Sequence, residues 1–302
     1  MAENFADNHR NITFSNNVTA TLRQEPGMLY GLCGSSAPYT GSKKARIENR
    51  FGRLKMEEKQ GRNTDTNSTD IDSVARWIAP GKKANVAPLL DRDDSETTEV
   101  DLGSPLVKEV AAAAATYHDD MFGVGYFGNA WSGELGDTAV PFKNANIIAH
   151  GGTGLTLDKL IATRELLRKR HVNIQREKPI ILLQPEDETD LLQIPEYKSF
   201  DYNGSKPLEN GEIKPFMGFR FFSITPDAES MPRSYASFFA NGGATRQLPV
   251  FVPSGLHRGV WVEFWGKITD RADKNHSEQF YGEARSAVVR TDEDKCFILQ
   301  TQ

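Results

Sequence analysis

Residues 103–128 read GSPLVKEVAAAAATYHDDMFGVGYFG. Three catalytic signatures overlap in the second half of this stretch. Tyr117-His118-Asp119-Asp120 has the Tyr-x-Asp-Asp shape of a polymerase centre, and His118 beside two carboxylates suits a metal site. Gly123, Gly125 and Gly128 spell the G-x-G-x-x-G of a dinucleotide-binding loop. The flanks decide against all three. Ser104 is a helix N-cap residue and Pro105 suits a first helical position. Leu106, Val110, Ala113, Tyr117, Met121 and Val124 recur at spacings of three and four, which is one helical stripe. Five consecutive alanines add intrinsic helix propensity. The pattern predicts a helix of roughly 20 residues, about 30 Å long.

On a helix, successive side chains point about 100° apart, so His118, Asp119 and Asp120 diverge rather than converge on a metal. They read as a polar face near the helix end. A dinucleotide loop must follow a strand and open a helix. This one follows a helix, so its glycines read as ending that helix and letting it pack closely.

Other chemistry-bearing strings fail in the same way. His150-Gly-Gly-Thr-Gly154 has the look of an esterase oxyanion loop, but no Gly-x-Ser-x-Gly elbow occurs in the chain. The acids of Pro185-Glu-Asp-Glu-Thr-Asp190 are those a first helical turn attracts, and the bases of Arg168-Lys-Arg-His171 are those a last turn attracts. No Walker A, His-Glu-x-x-His or paired Cys-x-x-Cys motif is present. No catalytic, cofactor-binding or metal-ligating residue is assigned, and no cofactor is expected.

The 302 residues suffice for one large domain or two ordinary ones. Hydrophobic residues at 38% and aromatics at 10% exclude overall disorder. A net charge of −5 argues against a nucleic-acid-wrapping protein. Cys33 and Cys296 are too few for a disulfide framework and read as free thiols. No apolar run approaches the roughly 20 residues that cross a bilayer, so no membrane partner is expected. The first residues lack a signal-peptide pattern. The four sequons at Asn11, Asn17, Asn67 and Asn203 therefore have no glycosylation context, and synthesis in a cytoplasm is expected.

Along the chain, residues 1–40 are polar with scattered hydrophobes and read as an arm that borrows a surface. Residues 41–100 carry strand-like pieces (ARIENRFGRLKMEEK and SVARWIAP) around polar, turn-rich sequence, too poor in apolar content for a core of their own. After the long helix, Thr156 caps a second one, with Leu157, Leu160, Ile161 and Leu167 inward. PIILLQP reads as a buried strand and Pro185 opens a third helix. EIKPFMGFRFFSI, QLPVFVP, GVWVEFWGKI and QFYGEARSAVVRTDEDKCFILQT read as strands, the last with a turn at Thr291–Asp294. The class is α+β.

This order of parts resembles the major capsid proteins of tailed bacteriophages with the Hong Kong 97-type coat fold. GSPLVKEVAAAAATYHDDMFGVGYFGNAWSGELGDTAVPF and IIAHGGTGLTLDKLIATRELL are similar to consecutive segments of one phage coat family. GEIKPFMGFRFF and DKNHSEQFYGEARSAVVRTDEDKCFIL are similar to its later strands, and RNTDTNSTDIDSVARWIAP to its charged stretch before the helix. The resemblance spans about residues 21–302, with FFANGGATRQLPVFVPSG and the N-terminus departing from it.

It implies an N-terminal arm (1–40), an extended loop lying across a neighbour (41–100), and a peripheral domain with the spine helix (101–150). An inserted axial α/β domain (151–258) and the rest of the peripheral domain (259–302) follow. It also implies a coat protein that self-assembles through hexamers and pentamers into an icosahedral head around double-stranded DNA, without sequence-specific contact. Expected partners are a separate scaffold, a portal and decoration proteins; the expected location is the virion, after assembly in the host cytoplasm. Lys43, Lys44, Lys55 and Lys59 fall in the loop, where some relatives form a Lys–Asn cross-link, but no pairing is assignable. The alternatives are an encapsulin-like compartment shell, another head or tail structural protein, and an enzyme on residues 102–302. Assembly state separates them.

Overall fold

The computed structural model describes residues 27–51, 56, 58, 61, 73–91, 103–198, 213–243 and 245–302. Most of the expected arm, with Lys55, Lys59 and the acidic stretch before the long helix, lies outside the described residues. The order of elements is β1 (Ser35–Pro38), β2 (Ala45–Phe51), β3 (Ser73–Ile78), β4 (Ala84–Val86), β5 (Leu89–Leu90), α1 (Gly103–Phe127), β6 (Ala130–Ser132), β7 (Thr138–Val140) and β8 (Ile147–Ile148). Then come α2 (Leu157–Lys169), β9 (Ile180–Leu183), α3 (Pro185–Gln193), α4 (Pro195–Lys198), β10 (Arg220–Ser223), β11 (Arg246–Phe251), β12 (Leu256–Arg271), β13 (Ser277–Arg290) and β14 (Cys296–Thr301).

Three sheets organise these elements. The first has the order β10-β9-β11-β14-β8, with β11 antiparallel to both β9 and β14. Its middle is apolar on both faces, which is why PIILLQP is continuously apolar rather than alternating. Ile181 and Leu183 face one way, into a core with Leu160 and Leu167 of α2 and Leu191 of α3. Ile180 and Leu182 face the other way, into a core with Phe122, Tyr126 and Phe127 from the end of α1. The second sheet runs β1-β12-β13-β4, with β5 also on β13, and α1 packs across β13. The third runs β2-β3-β6-β7.

Several expectations need correction. Helix α1 starts at Gly103 and has 25 residues, so Ser104 and Pro105 lie within its first turn rather than at the cap and the first position. It does not end at its first glycines; Gly123 and Gly125 are helical and serve only the close packing. A Cβ on Gly123 would lie 2.6 Å from the Ser234 Cβ, and one on Gly125 would lie 2.6 Å from the Val288 carbonyl carbon. The helix ends beyond Phe127, where Gly128 donates to Val124 O at 2.9 Å.

In α2, Thr156 is the cap, accepting from Lys159 N, and Leu160 and Leu167 are buried. Ile161 is not inward but exposed; the buried stripe passes instead through Lys159 and Thr163. EIKPFMGFRFFSI becomes a strand only at Arg220, because Met217 and Gly218 adopt left-handed angles (φ 52° and 90°) in a turn between Phe216 and Phe219. The turn after β13 is no hairpin: it carries the chain from the second sheet into the first, where β14 lies between β11 and β8.

Candidate functional site

The polar side chains of α1 neither converge on one point nor face solvent. His118, Asp119 and Asp120 are all buried, and each points to a different element. The Asp119 carboxylate accepts backbone N–H groups from Gly27 (2.8 Å), Leu29 (2.9 Å) and Tyr30 (3.3 Å). Burial raises its pKa, and those N–H donors oppose the rise. The Asp120 carboxylate accepts from Ser234 N (2.9 Å), Ser234 Oγ (2.7 Å) and Arg233 N (3.3 Å). His118 sits between Ser286 Oγ and the Glu263 carbonyl, both at 2.7 Å. The carbonyl can only accept, so Nε2 carries the proton and Nδ1 accepts from Ser286. Burial lowers the His118 pKa, the Glu263 carbonyl opposing and Arg258 assisting. Divergence was legible in the sequence; burial was not.

The other strings resolve similarly. Around His150–Gly154 the groups that converge are carbonyls, not N–H donors: Lys159 Nζ donates to Thr153 O (2.7 Å), Gly154 O (2.7 Å) and Gln300 O (3.2 Å). An oxyanion hole needs the opposite polarity. Asp187 pairs with Arg246 (3.2 Å), Glu188 accepts from Ser223 (2.7 Å), and Asp190 accepts from Leu155 N (2.9 Å). Lys169 pairs with Glu165 one turn back, and Arg170 with Asp294. Cys33 and Cys296 are free thiols; burial pushes Cys33 up to about 12 and Cys296 well above its ordinary value. Lys44 donates to Gly136 O, while Lys43 is exposed. Among the described residues no group of three or more His, Cys, Asp or Glu side chains is placed to hold a metal ion. Among them, too, no helix is long and apolar enough to cross a membrane.

Two features escaped the sequence reading. Arg290 is fully buried where α1, the third sheet and the β13–β14 crossing meet. It donates to Glu293 Oε2 (3.0 Å), Gly128 O (2.6 Å), Tyr126 O and Val140 O, and lies over the Phe142 ring. It thus satisfies a carbonyl that the end of α1 leaves without an intrahelical partner. The other feature is a surface. Phe264 (45%) and Ile268 (56%) of β12 are exposed beside Val107 of α1, and Trp265 (49%) is exposed on the same strand. A cavity of about 220 Å³ lies there, lined by Val107, Val110, Phe264, Ile268 and Phe280 among others. Unpaired apolar surface of this kind marks a site of association.

With this architecture in hand, solved structures define the fold. The chain is similar to a chain of the bacteriophage PhiM1 mature capsid, at 13% identity and a TM-score of 0.71 over 96% of this chain and 91% of that one. It is similar to the capsid of cyanophage P-SCSP1u, at 16% identity and a TM-score of 0.72 over 96% and 92%. It is also similar to the cyanophage Pam1 capsid, at 12% identity and a TM-score of 0.69 over 100% and 99%. At such identities the likeness shows the fold, the mixed helix-and-sheet coat fold of the Hong Kong 97 type. The model of the phage capsid protein family matches residues 6–301, and the chain belongs to that family. It is a major capsid protein, a subunit of a bacteriophage head shell. No curated protein matches the sequence significantly.

Proposed function

We propose that this subunit assembles through hexamers and pentamers, its N-terminal arm and residues 41–100 reaching onto neighbours, and that it has no catalytic task. The observation that carries this reading is the family match, which runs from residue 6 to 301 through arm, loop, helix and sheets alike. The long helix and the β12–β13 hairpin form the peripheral domain, and α2, α3 and the β9-β11 sheet form the inserted axial domain. We place β8 and β14 with the axial domain, because β14 pairs with both β11 and β8. The chain's net charge of −5 suits a shell that encloses DNA without gripping it. Assembly in the host cytoplasm on a separate scaffold, around a portal, completes the reading.

Expression alone and with neighbouring genes tests it, by negative-stain microscopy and sedimentation. Closed icosahedral particles, or hexameric and pentameric capsomers, are the expected products. A monodisperse monomer or dimer under every condition overturns the reading.

A further inference from the structure

We propose that the basic surface where the C-terminal end of α2 meets the β13–β14 turn contacts the phosphate backbone of the packaged duplex. The inference rests on the coat reading above and assigns a DNA-facing surface within it.

The distribution of charge gives the first argument. The chain as a whole carries −5, yet residues 164–178, RELLRKRHVNIQREK, hold six arginines and lysines against two glutamates. Folding brings two more cations to them. Arg170 and Lys143 share the Asp294 carboxylate at 3.6 and 3.1 Å, and the neighbouring Lys295 holds Glu177 at 2.9 Å. The turn that carries Asp294 and Lys295 thereby joins the end of α2 to residues 176–178. The other acids of that turn, Asp292 and Glu293, are buried. Eight cations then stand around the turn against three carboxylates, those of Glu165, Glu177 and Asp294.

The fold makes little use of these charges, which is the second argument. Arg168, Lys169, Arg176 and Lys178 are exposed. Of the four, only Lys169 has an ion pair among the described residues, with an equally exposed Glu165. Such a pair contributes little in water. Arg164 and Arg168 stand one helical turn apart, a like-charge spacing that weakens a helix. The negative end of α2 calls for Arg168 and Lys169 in its last turn. It does not call for Arg176, Lys178 or Lys143, which lie off the helix. Crowded cations repel one another in a lone subunit, and a polyanion relieves the repulsion.

Side-chain chemistry selects the polyanion. Four of the eight cations are arginines, whose planar forks match phosphate oxygens. No Phe, Tyr or Trp occurs in residues 164–178, so single-stranded bases would find no ring to stack on. The surface suits the outside of a duplex, read without regard to sequence. On the coat reading that duplex is the packaged DNA, and the acidic balance of the remaining chain keeps the contact local.

The test separates DNA-filled heads from empty shells by sedimentation and acetylates both. Mass spectrometry reads Lys169 and Lys178. An ammonium beside phosphate stays protonated, so we expect both lysines to react about threefold or more slowly in filled heads than in empty shells. Dissociated subunits are then titrated onto a short random-sequence duplex by fluorescence anisotropy. Arg168→Gln, Arg176→Gln and Lys178→Gln should each keep the melting temperature and lower the slope of log affinity against log salt by about 0.9, whereas Lys274→Gln should leave it unchanged. Acetylation rates equal in filled and empty heads overturn the inference and leave the coat reading standing, whether the lysines are free in both or covered by a neighbour in both. Subunits that bind no duplex at low salt, or a salt slope that the three substitutions leave unchanged, overturn it as well. A chain that forms no head under any condition overturns the coat reading and this inference with it.

Discussion

Replacing Gly125 by alanine sets helix propensity against packing, and the two predict opposite signs. Gly125 lies inside a 25-residue helix, where alanine is favoured over glycine by about 1 kcal/mol. The neighbouring strand argues otherwise. A Cβ at 125 would stand 2.6 Å from the carbonyl carbon of Val288 and 2.9 Å from its Cβ, and closer still to its carbonyl oxygen. Ordinary contact begins near 3.4 Å, so the helix must lift from β13 by more than 0.8 Å. The obstacle is backbone of a strand held at this point by its pairing with β12, which cannot rotate away as a side chain would.

Lifting α1 also loosens Phe122 and Tyr126, both fully buried in the core beneath. Overpacking of this kind costs up to about 3 kcal/mol, which leaves a net loss of about 2 after the propensity gain. Urea denaturation of dissociated subunits, followed by far-UV circular dichroism, reads the change. With a slope of about 3 kcal/mol per molar, the midpoint should fall by about 0.7 M. Gly31→Ala is the control: nothing lies within 4 Å of its Cβ position, so its midpoint should barely move. A Gly125→Ala chain as stable as wild type, with that control neutral, would refute the close-approach argument.

Substitutions at three further positions follow from the buried polar groups. Asp120→Ala strands the Ser234 hydroxyl in the core and leaves its N–H only the 3.3 Å bond to Met231 O, and should cost about 2 kcal/mol, measured by the same denaturation; Asp120→Asn should recover part of it. Arg290→Met leaves the buried Glu293 carboxylate without its closest cation and should cost about 3–5 kcal/mol, or abolish soluble expression. His118 is held below its ordinary pKa, so the folded chain binds fewer protons than the unfolded one. Its contribution is whole above pH 6.5 and is lost as pH falls from 6.5 toward the lowered folded value. Asp119, raised by burial, has the opposite sign and gains as pH falls through its raised value toward 3.8. His118→Gln removes only the first effect, so its stability relative to wild type should rise between pH 7 and pH 5. A difference that is flat with pH would show that His118 does not titrate on unfolding.

The helix, the capped second helix and the buried strand were legible because each is dictated locally, by Pro105, by Thr156 and by the run Ile180–Leu183. What stayed hidden depends on partners distant in sequence. The burial of Asp119 comes from residues 27–30 and that of Asp120 from residues 233–234, about 90 and 114 positions away. Ile161 obeys the helical period yet faces out, since the cover over α2 favours the stripe through Lys159 and Thr163. The exposed edge of β12 could not be read at all: GVWVEFWGKI signals a strand but not which neighbours it lacks.

The overlap of three catalytic signatures in one stretch has a single physical cause. Helix α1 is covered on several sides near its end, by the N-terminal segment, by residues 231–239 and by β13. In the first two, residues 27–30 and 233–234 lie outside any strand ladder and bring backbone N–H groups into the core. An ionised carboxylate only accepts and offers several lone pairs, which makes aspartate the side chain suited to gathering such donors. Two such segments on different sides call for two aspartates pointing apart, and adjacent positions on a helix supply that. Where β13 crosses, the need is contact rather than acceptors, and glycine supplies it. Tyr126 then joins the helix end to the other sheet, its hydroxyl donating to Val250 O and Phe297 O and accepting from Phe297 N. A catalytic centre aims its groups at one point, whereas this segment aims each at a different part of the chain. That geometry ties the end of α1 to several parts of the chain at once.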